Sequence, residues 1–349
     1  MILPVSTTTP MSWATLSRSE TVAMTLTIPT TTELDIAPLF AGGAEPALDR
    51  RIAEVLESEA SFVATGFPGC DGHDTRISEI LRFFDLRQED KMACATQSDR
   101  ATHPNIYRGY YPLPDEPHFS HHEIFDIGPE PAMTSPDVPG AESFREDNVW
   151  PDREPVVGWR TKLLSLFREE RAIGVAVMAA AARGLGLGDE TVIAAAGSCN
   201  GTLRLLHYAP MPEGFEVIAE DGLPPDEIGD GRRLVGSAHI DTGLMSVLWQ
   251  DHRGGLQMQG RDSVWREVEA RADVLSIHMG DLMHGLTGGR LDATRHRVLS
   301  QGFDRCSVGL FVEPDFETDV VAPSGGPAVS YARHLVNEYP DRFEAKTAA

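Results

Sequence analysis

The chain has 349 residues, 41% of them hydrophobic and 24% charged, the make-up of a globular protein long enough for one large domain or two small ones. Its formal net charge of −23, from 30 Lys and Arg against 53 Asp and Glu, argues against nucleic acid or an anionic membrane surface as partner. No apolar run reaches ~18 residues, so no membrane span is expected. The four cysteines, Cys70, Cys94, Cys199 and Cys306, form no CxxC pair, which argues against a thiolate zinc site or a disulfide framework and fits a reducing cytoplasm.

Residues 1–30 are rich in Ser and Thr and lack a basic start followed by a long apolar stretch, so they read as a flexible N-terminal arm rather than a secretory signal, with Met24 a second candidate start. "LTIPTTTELDIAPLF" predicts a short strand and a turn. Ile52, Val55 and Leu56 fall at helical spacing, and the helix they define runs into a short apolar strand, "SFVATGF". "RISEILRFFDL" and "RQEDKMACAT" read as a second amphipathic helix and a shorter third. From Ala101 to Asp152 the text turns to Pro, Gly, His and aromatics, which predicts irregular structure of the kind that often carries function. A long helix is expected from about Pro155 to Gly184. After Cys199 come strand-length pieces broken by Gly, Pro and Asp: "TLRLLHYAP", "RLVGSAHID", "LMSVLWQD", "GGLQMQG", "SVWREVE", "DVLSIHMGD", "HGLTGG", "TRHRVLS" and "RCSVGLFVEP". Their spacing suits an antiparallel sandwich or barrel. A closing helix is expected in "GPAVSYARHLVNEYPDRF", and no internal repeat is found.

Within these pieces, "SAHIDTG" sets His239 and Asp241 two apart, on one face if the strand continues. Imidazole and carboxylate together suit a metal of intermediate hardness. Two histidines and one carboxylate on one side of an octahedron leave open positions opposite, as non-haem Fe(II) oxygenases require. An H-x-D alone recurs by chance, so the third ligand decides. His296 lies 55 residues after Asp241, in "TRHRVLS"; His252, His278 and His284 lie between, and spacing does not choose among them.

Taken together, "HIDTGLMSVLWQDHRGGLQMQ", "MGDLMHGLTGGRLDATRHRV" and "DRCSVGLFVEP" resemble the isopenicillin N synthase-like branch of the 2-oxoglutarate-dependent Fe(II) oxygenases. "SFVATGF", "IYRGYYPL", "HHEIFDIGPE" and "NVWPD" extend the resemblance from about Leu34 to Phe343. It implies a mainly β fold with flanking helices: a double-stranded β-helix, or jelly-roll barrel, over residues 199–315. Residues 31–155 would form an N-terminal helical and mixed region with the substrate entrance, 156–198 the support helices, and 316–349 a C-terminal helix and tail. It selects His296 as the distal ligand, giving the metal set His239, Asp241 and His296. It assigns Arg305 and Ser307 to the distal carboxylate of 2-oxoglutarate, for which a guanidinium fork is suited. Tyr208, in "RLLHYAP", matches a tyrosine that reaches the cosubstrate, although Leu206 stands where the family carries asparagine.

The resemblance further implies a cytoplasmic enzyme, an oxidoreductase using Fe(II), 2-oxoglutarate and dioxygen to hydroxylate, desaturate or cyclise a small molecule at an unactivated C–H bond. Tyr107 and Arg108, in the irregular stretch, are the candidate substrate contacts, with loop packing as the alternative. Met245, Val247, Leu282 and Val298 are expected to keep the barrel interior dry. Three other readings stand beside this one: an isopenicillin N synthase-type oxidase without 2-oxoglutarate, an ethylene-forming type, and a non-catalytic jelly-roll sensor of small molecules. "GLGLG" near Gly184 follows a helix and reads as its end rather than a dinucleotide loop. "HFSHHE", residues 118–123, borders the expected entrance and is not assigned a metal.

Overall fold

Two sheets packed face to face organise the protein, described from a computed structural model over residues 28–42, 45–132, 146–218, 231–322 and 325–338. Most of the expected N-terminal arm and the tail beyond residue 338 lie outside these residues. The large sheet has the order β1 (Glu33–Asp35), β2 (Ser61–Thr65), β10 (Leu275–Met279), β7 (Met245–Gln250), β12 (Arg305–Val312), β5 (Gly201–Tyr208), β4 (Glu123–Ile127) and β3 (Gly109–Tyr111). The small sheet runs β6 (Arg233–His239), β11 (Arg295–Ser300), β8 (Leu256–Gln259), β9 (Trp265–Glu267). From β5 to β12 the chain winds back and forth between the sheets, the path of a jelly roll.

Strand alternation decides what each face touches. Met245, Val247 and Trp249 of β7 turn outward into the large core, under α4 (Trp159–Gly184), with α1 (Pro46–Glu59) behind it. α4 comes this close because of Gly174, where a Cβ would lie 2.7 Å from Val312 Cγ2. The alternate residues Ser246, Leu248 and Gln250 turn inward. Between the sheets, Val63, Leu206, Tyr208, Val235, Leu256, Met258 and Val298 form a smaller apolar cluster. Of the four residues expected to dry the interior, therefore, only Val298 faces it; Met245, Val247 and Leu282 belong to the outer core.

The helices α2 (His73–Leu81) and α3 (Gln88–Met92) and the closing helix α7 (Tyr331–Glu338) stand where the sequence places them. Three details differ. The stretch read as irregular supplies β3 and β4, which extend the large sheet beside β5; Pro and His around them mask a short alternating "EIFDI". A short helix α5 (Asp189–Ala196) follows α4. The "HGLTGG" piece is not a strand, since its first three residues end helix α6 (Leu282–Leu286).

Candidate metal centre

β6 ends at His239, and Asp241 lies in the turn just beyond it. The turn, rather than strand alternation, brings the carboxylate round. β11 pairs antiparallel with β6 and sets His296 directly opposite His239, with ring centroids 4.2 Å apart. Asp241 Oδ1 lies 3.7 Å from Nε2 of each histidine, and the three ligand atoms all fall within 4.8 Å of one another. Among the described residues this is the one such cluster of metal-binding side chains.

The protonation pattern suits a cation. His239 Nδ1 lies 2.8 Å from the Ser237 carbonyl and His296 Nδ1 lies 3.2 Å from the Thr294 carbonyl. A carbonyl oxygen can only accept, so each Nδ1 carries the proton and each Nε2 presents a lone pair to the shared point. Burial, reinforced by the neighbouring His239, lowers His296 to about 3, which keeps it neutral. Burial opposes charge on Asp241, yet the hydrogen bond from His278 helps hold its carboxyl well below the usual carboxylate range. Two lone pairs and a carboxylate oxygen thus converge with no proton between them.

Asp241 is held from behind. Its Oδ2 accepts from His278 Nε2 at 2.9 Å and from Ser246 Oγ at 2.5 Å, so Oδ1 is the oxygen that faces His239 and His296. His278 is fully buried and its Nδ1 has no partner, a cost retained beside the cluster. His284 lies on the surface against Asp292. His252 is exposed in the turn after β7.

A cavity of about 80 Å³ extends inward from the cluster. Arg305, Ser307 and Tyr208 line it with His239, Asp241 and His296, so six sequence-predicted residues share one chamber. Arg305 is 2% exposed. Its Nε donates to the Gly254 carbonyl at 2.7 Å, one Nη to Ser307 Oγ at 3.2 Å and the other to Gln250 Oε1 at 3.1 Å, and its guanidinium lies 4.6 Å from the Tyr208 ring centre. All these acceptors are neutral; among the described residues no carboxylate pairs with Arg305. A buried guanidinium so placed calls for an anion. Leu206 gives the chamber an apolar wall where the resembling family has an amide.

The chamber adjoins a wider one of about 650 Å³, and Phe119, Ser120, His122 and Arg204 line both. Phe119, Ser120 and His122 belong to the "HFSHHE" run expected to border the entrance; Arg204 carries no expectation from the sequence. Arg204 was legible in hindsight, because it alternates with Leu206 and Tyr208 along β5. It is fixed by a bidentate pair to Asp126, at 2.9 and 2.7 Å, and no acceptor engages its second Nη among the described residues. His122 comes from the "HFSHHE" run, with its ring edge-on to Tyr208 at 5.0 Å.

Tyr107 and Arg108 do not line either chamber. Arg108 donates to the carbonyls of Ile127 and Gly201 and to Thr202 Oγ1, while Tyr107 and Tyr331 of α7 hydrogen-bond Glu313, itself an acceptor for Thr202. Burial pushes Glu313 up against the pull of Arg108. The substrate-contact expectation for the pair therefore gives way to packing: they fasten the N-terminal region and α7 to the far end of β5 and β12. Arg108→Ala is expected to cost about 3 kcal/mol of stability by stranding buried acceptors. Urea denaturation of the variant, with the 2-oxoglutarate KM as a control that should not move, checks this.

Residues 199–314 match the 2OG-Fe(II) oxygenase superfamily. Over 298 residues the chain is 27% identical to a 2-oxoglutarate-dependent dioxygenase of Monascus ruber, covering 81% of this chain and 84% of that one. It is 24% identical over 319 residues to the isopenicillin N synthase of Streptomyces clavuligerus, covering 86% and 92%. Its fold is shared with full-length Neurospora crassa T7H, solved in complex with alpha-KG and thymine, at a TM-score of 0.70, 20% identity and coverage of 89% and 96%. A protein of Caulobacter crescentus described as of the 2OG-Fe(II) oxygenase family gives a TM-score of 0.68 at 21% identity, covering 90% and 99%. The chain carries a 2OG-Fe(II) oxygenase domain in a jelly-roll fold. It is an oxidoreductase, a dioxygenase that depends on Fe(II) and 2-oxoglutarate.

Proposed function

We propose that His239, Asp241 and His296 hold the Fe(II), that Arg305 and Ser307, backed by Tyr208, hold the distal carboxylate of 2-oxoglutarate, and that the enzyme hydroxylates an unactivated C–H bond of a small molecule. Desaturation or ring closure is the same C–H oxidation with a different ending. The observation that carries the reading is that one cavity has a convergent His, His and Asp set at one end and a buried, anion-less guanidinium at the other.

Fe(II), when bound, supplies oxidation of the substrate by dioxygen, coupled to conversion of 2-oxoglutarate to succinate and carbon dioxide. The chain's own part is placement. Ser246 and His278 fix which oxygen Asp241 presents. Arg305 orients the dicarboxylate by a fork that Gln250 and Gly254 lock in one plane. Leu206, Leu248, Leu256 and Val298 keep water from the inner chamber. The substrate occupies the wider chamber, whose volume suits a small metabolite. Arg204, with its spare donor at the neck, offers a hydrogen bond to a substrate oxygen and so sets which C–H bond enters.

An anaerobic titration with Fe(II) and 2-oxoglutarate tests the assignment: a weak visible charge-transfer band should grow to one equivalent. Succinate release in air should then accompany substrate loss one for one. An isopenicillin N synthase-type oxidase, the class of that Streptomyces relative, is the outcome this reading excludes. Substrate turnover with no 2-oxoglutarate present would decide for it.

The backing of Asp241 gives a further expected result. His278→Leu should weaken Fe(II) binding roughly ten- to a hundredfold by releasing Oδ2, as loss of a partner behind a ligand typically does. His278→Gln, which keeps a donor, should recover part of it. Competition with a fluorescent chelator reads this without turnover; unchanged affinity in His278→Leu would show that Ser246 alone suffices.

A further inference from the structure

We infer that the protein has a second ligand site, a rear pocket on the outside of the jelly roll that binds a compact oxyanion, a phosphate or a small carboxylate, and so opposes 2-oxoglutarate. The binding part stands on its own; the opposition rests on the reading of Arg305 given above.

The pocket has a volume of about 280 Å³, and its lining includes Arg232, His252, Arg253, Phe303 and Arg305 and, among the described residues, no carboxylate. Three arginines and a histidine around one concavity are unexpected in a chain with a net charge of −23. Many surface arginines are met by acids, as Arg261 is by Asp292, Arg266 by Asp262 and Arg271 by Glu33. Arg232 follows that pattern through Glu267. Arg253 and His252 do not: among the described residues neither has an ion pair. The Arg253 guanidinium lies 5.0 Å from the ring centre of Phe303, which is itself 52% exposed. The nearest acid in sequence, Asp251, is committed to backbone donors, with Oδ1 accepting from Arg253 N at 2.9 Å and Oδ2 from Cys306 N at 2.7 Å. Among the described residues, Arg253 therefore borders the hollow with no carboxylate paired to it.

The turn that carries them is fastened to the main site. Gly255 has φ +91°, and a Cβ there would fall 2.0 Å from the Leu299 carbonyl oxygen, so the turn closes against β11 only with glycine. The preceding residue, Gly254, accepts the hydrogen bond from Arg305 Nε. Arg305 thus forms part of the wall of both cavities, the one that faces the metal ligands and the one that faces outward. A negative charge in the rear pocket would lower the positive potential that Arg305 offers to a dicarboxylate on its inner side. By linkage, 2-oxoglutarate must weaken the rear anion by the same factor, about fivefold as a typical coupling between sites.

Calorimetric titration of the metal-free full-length chain with inorganic phosphate, and separately with tricarballylate, reads the rear pocket directly. One equivalent of either should bind to the wild type and not to Arg253→Glu. Heat from phosphate alone would identify phosphate as the class of ligand, and heat from tricarballylate alone a carboxylate. With Fe(II) present under nitrogen, the charge-transfer band should then show the 2-oxoglutarate Kd rising about fivefold at saturating anion. Arg253→Glu should raise it similarly with no anion added, because its carboxylate occupies the hollow, whereas Arg253→Ala should not. The site is refuted if neither anion binds the wild type at millimolar concentration, or if Arg253→Glu binds as well as wild type. Anion binding with an unmoved 2-oxoglutarate Kd refutes the opposition. Failure of 2-oxoglutarate to bind at all counts against the role given to Arg305 and leaves the calorimetric result standing.

Discussion

His296→Ala is expected to abolish tight Fe(II) binding and, with it, all measurable turnover, while the far-ultraviolet circular dichroism and the denaturation profile of the metal-free protein stay close to wild type. The same is expected of His239→Ala and Asp241→Ala. Each removes one of the three side chains among the described residues whose donor atoms meet within 4.8 Å, and a divalent ion left with two protein ligands is held far less firmly. The fold should survive because His239 is half-exposed and the metal-free cluster is spared the cost of crowding a second imidazole beside a buried carboxylate. Equilibrium dialysis against Fe(II) under nitrogen makes the measurement. Retention of tight binding by His296→Ala would move the third ligand to His278, whose Nε2 is already 2.9 Å from Asp241, and not to the surface residue His284.

Arg305→Ala should weaken 2-oxoglutarate by about 2–4 kcal/mol, roughly thirty- to a thousandfold in Kd, and leave Fe(II) affinity intact. The size follows from removing a buried charge that a dicarboxylate would otherwise complete. Arg305→Lys should fall between the two, since an ammonium keeps the charge but cannot span Gln250, Ser307 and a carboxylate in one plane. Titrating 2-oxoglutarate at fixed iron, with succinate followed in parallel, separates binding from chemistry. An unchanged Kd in Arg305→Ala would place the distal carboxylate elsewhere in the chamber, with Arg204 the next residue to test.

How much of this could be read from the sequence differs from residue to residue. Short β segments after Cys199 are legible because each is a strand-length apolar run closed by Gly, Pro or Asp, and local composition is enough to find them. The pairing of His239 with His296 is not local: it depends on the register of β6 against β11, which only resemblance to a known family supplied. Strand alternation misplaced Met245 and Val247, because a strand buried on both faces gives no sign of which side is the interior, while Leu282 opens helix α6 and follows no strand pattern at all. Arg108 looked like a substrate contact because a cation among aromatics in a loop suggests binding, and no sequence pattern reveals that Thr202 and the Gly201 carbonyl lie in wait for it. His278 could be core or pocket wall by sequence; it is both buried and aimed at the cluster, a position fixed by its pairing opposite Ser246 on β7.

The cross-strand meeting of His239 and His296 also bears on how the protein is made. When the ribosome has finished Asp241, the chain has two of the three proposed ligands and must be extended by 55 residues before the third exists. At ordinary rates of synthesis that interval is about 3–11 s. A nascent chain therefore passes through those seconds with an incomplete set, unable to grip iron firmly. Loading waits until β11 has emerged and closed against β6, so that redox-active iron does not settle in a chain that still lacks its third donor.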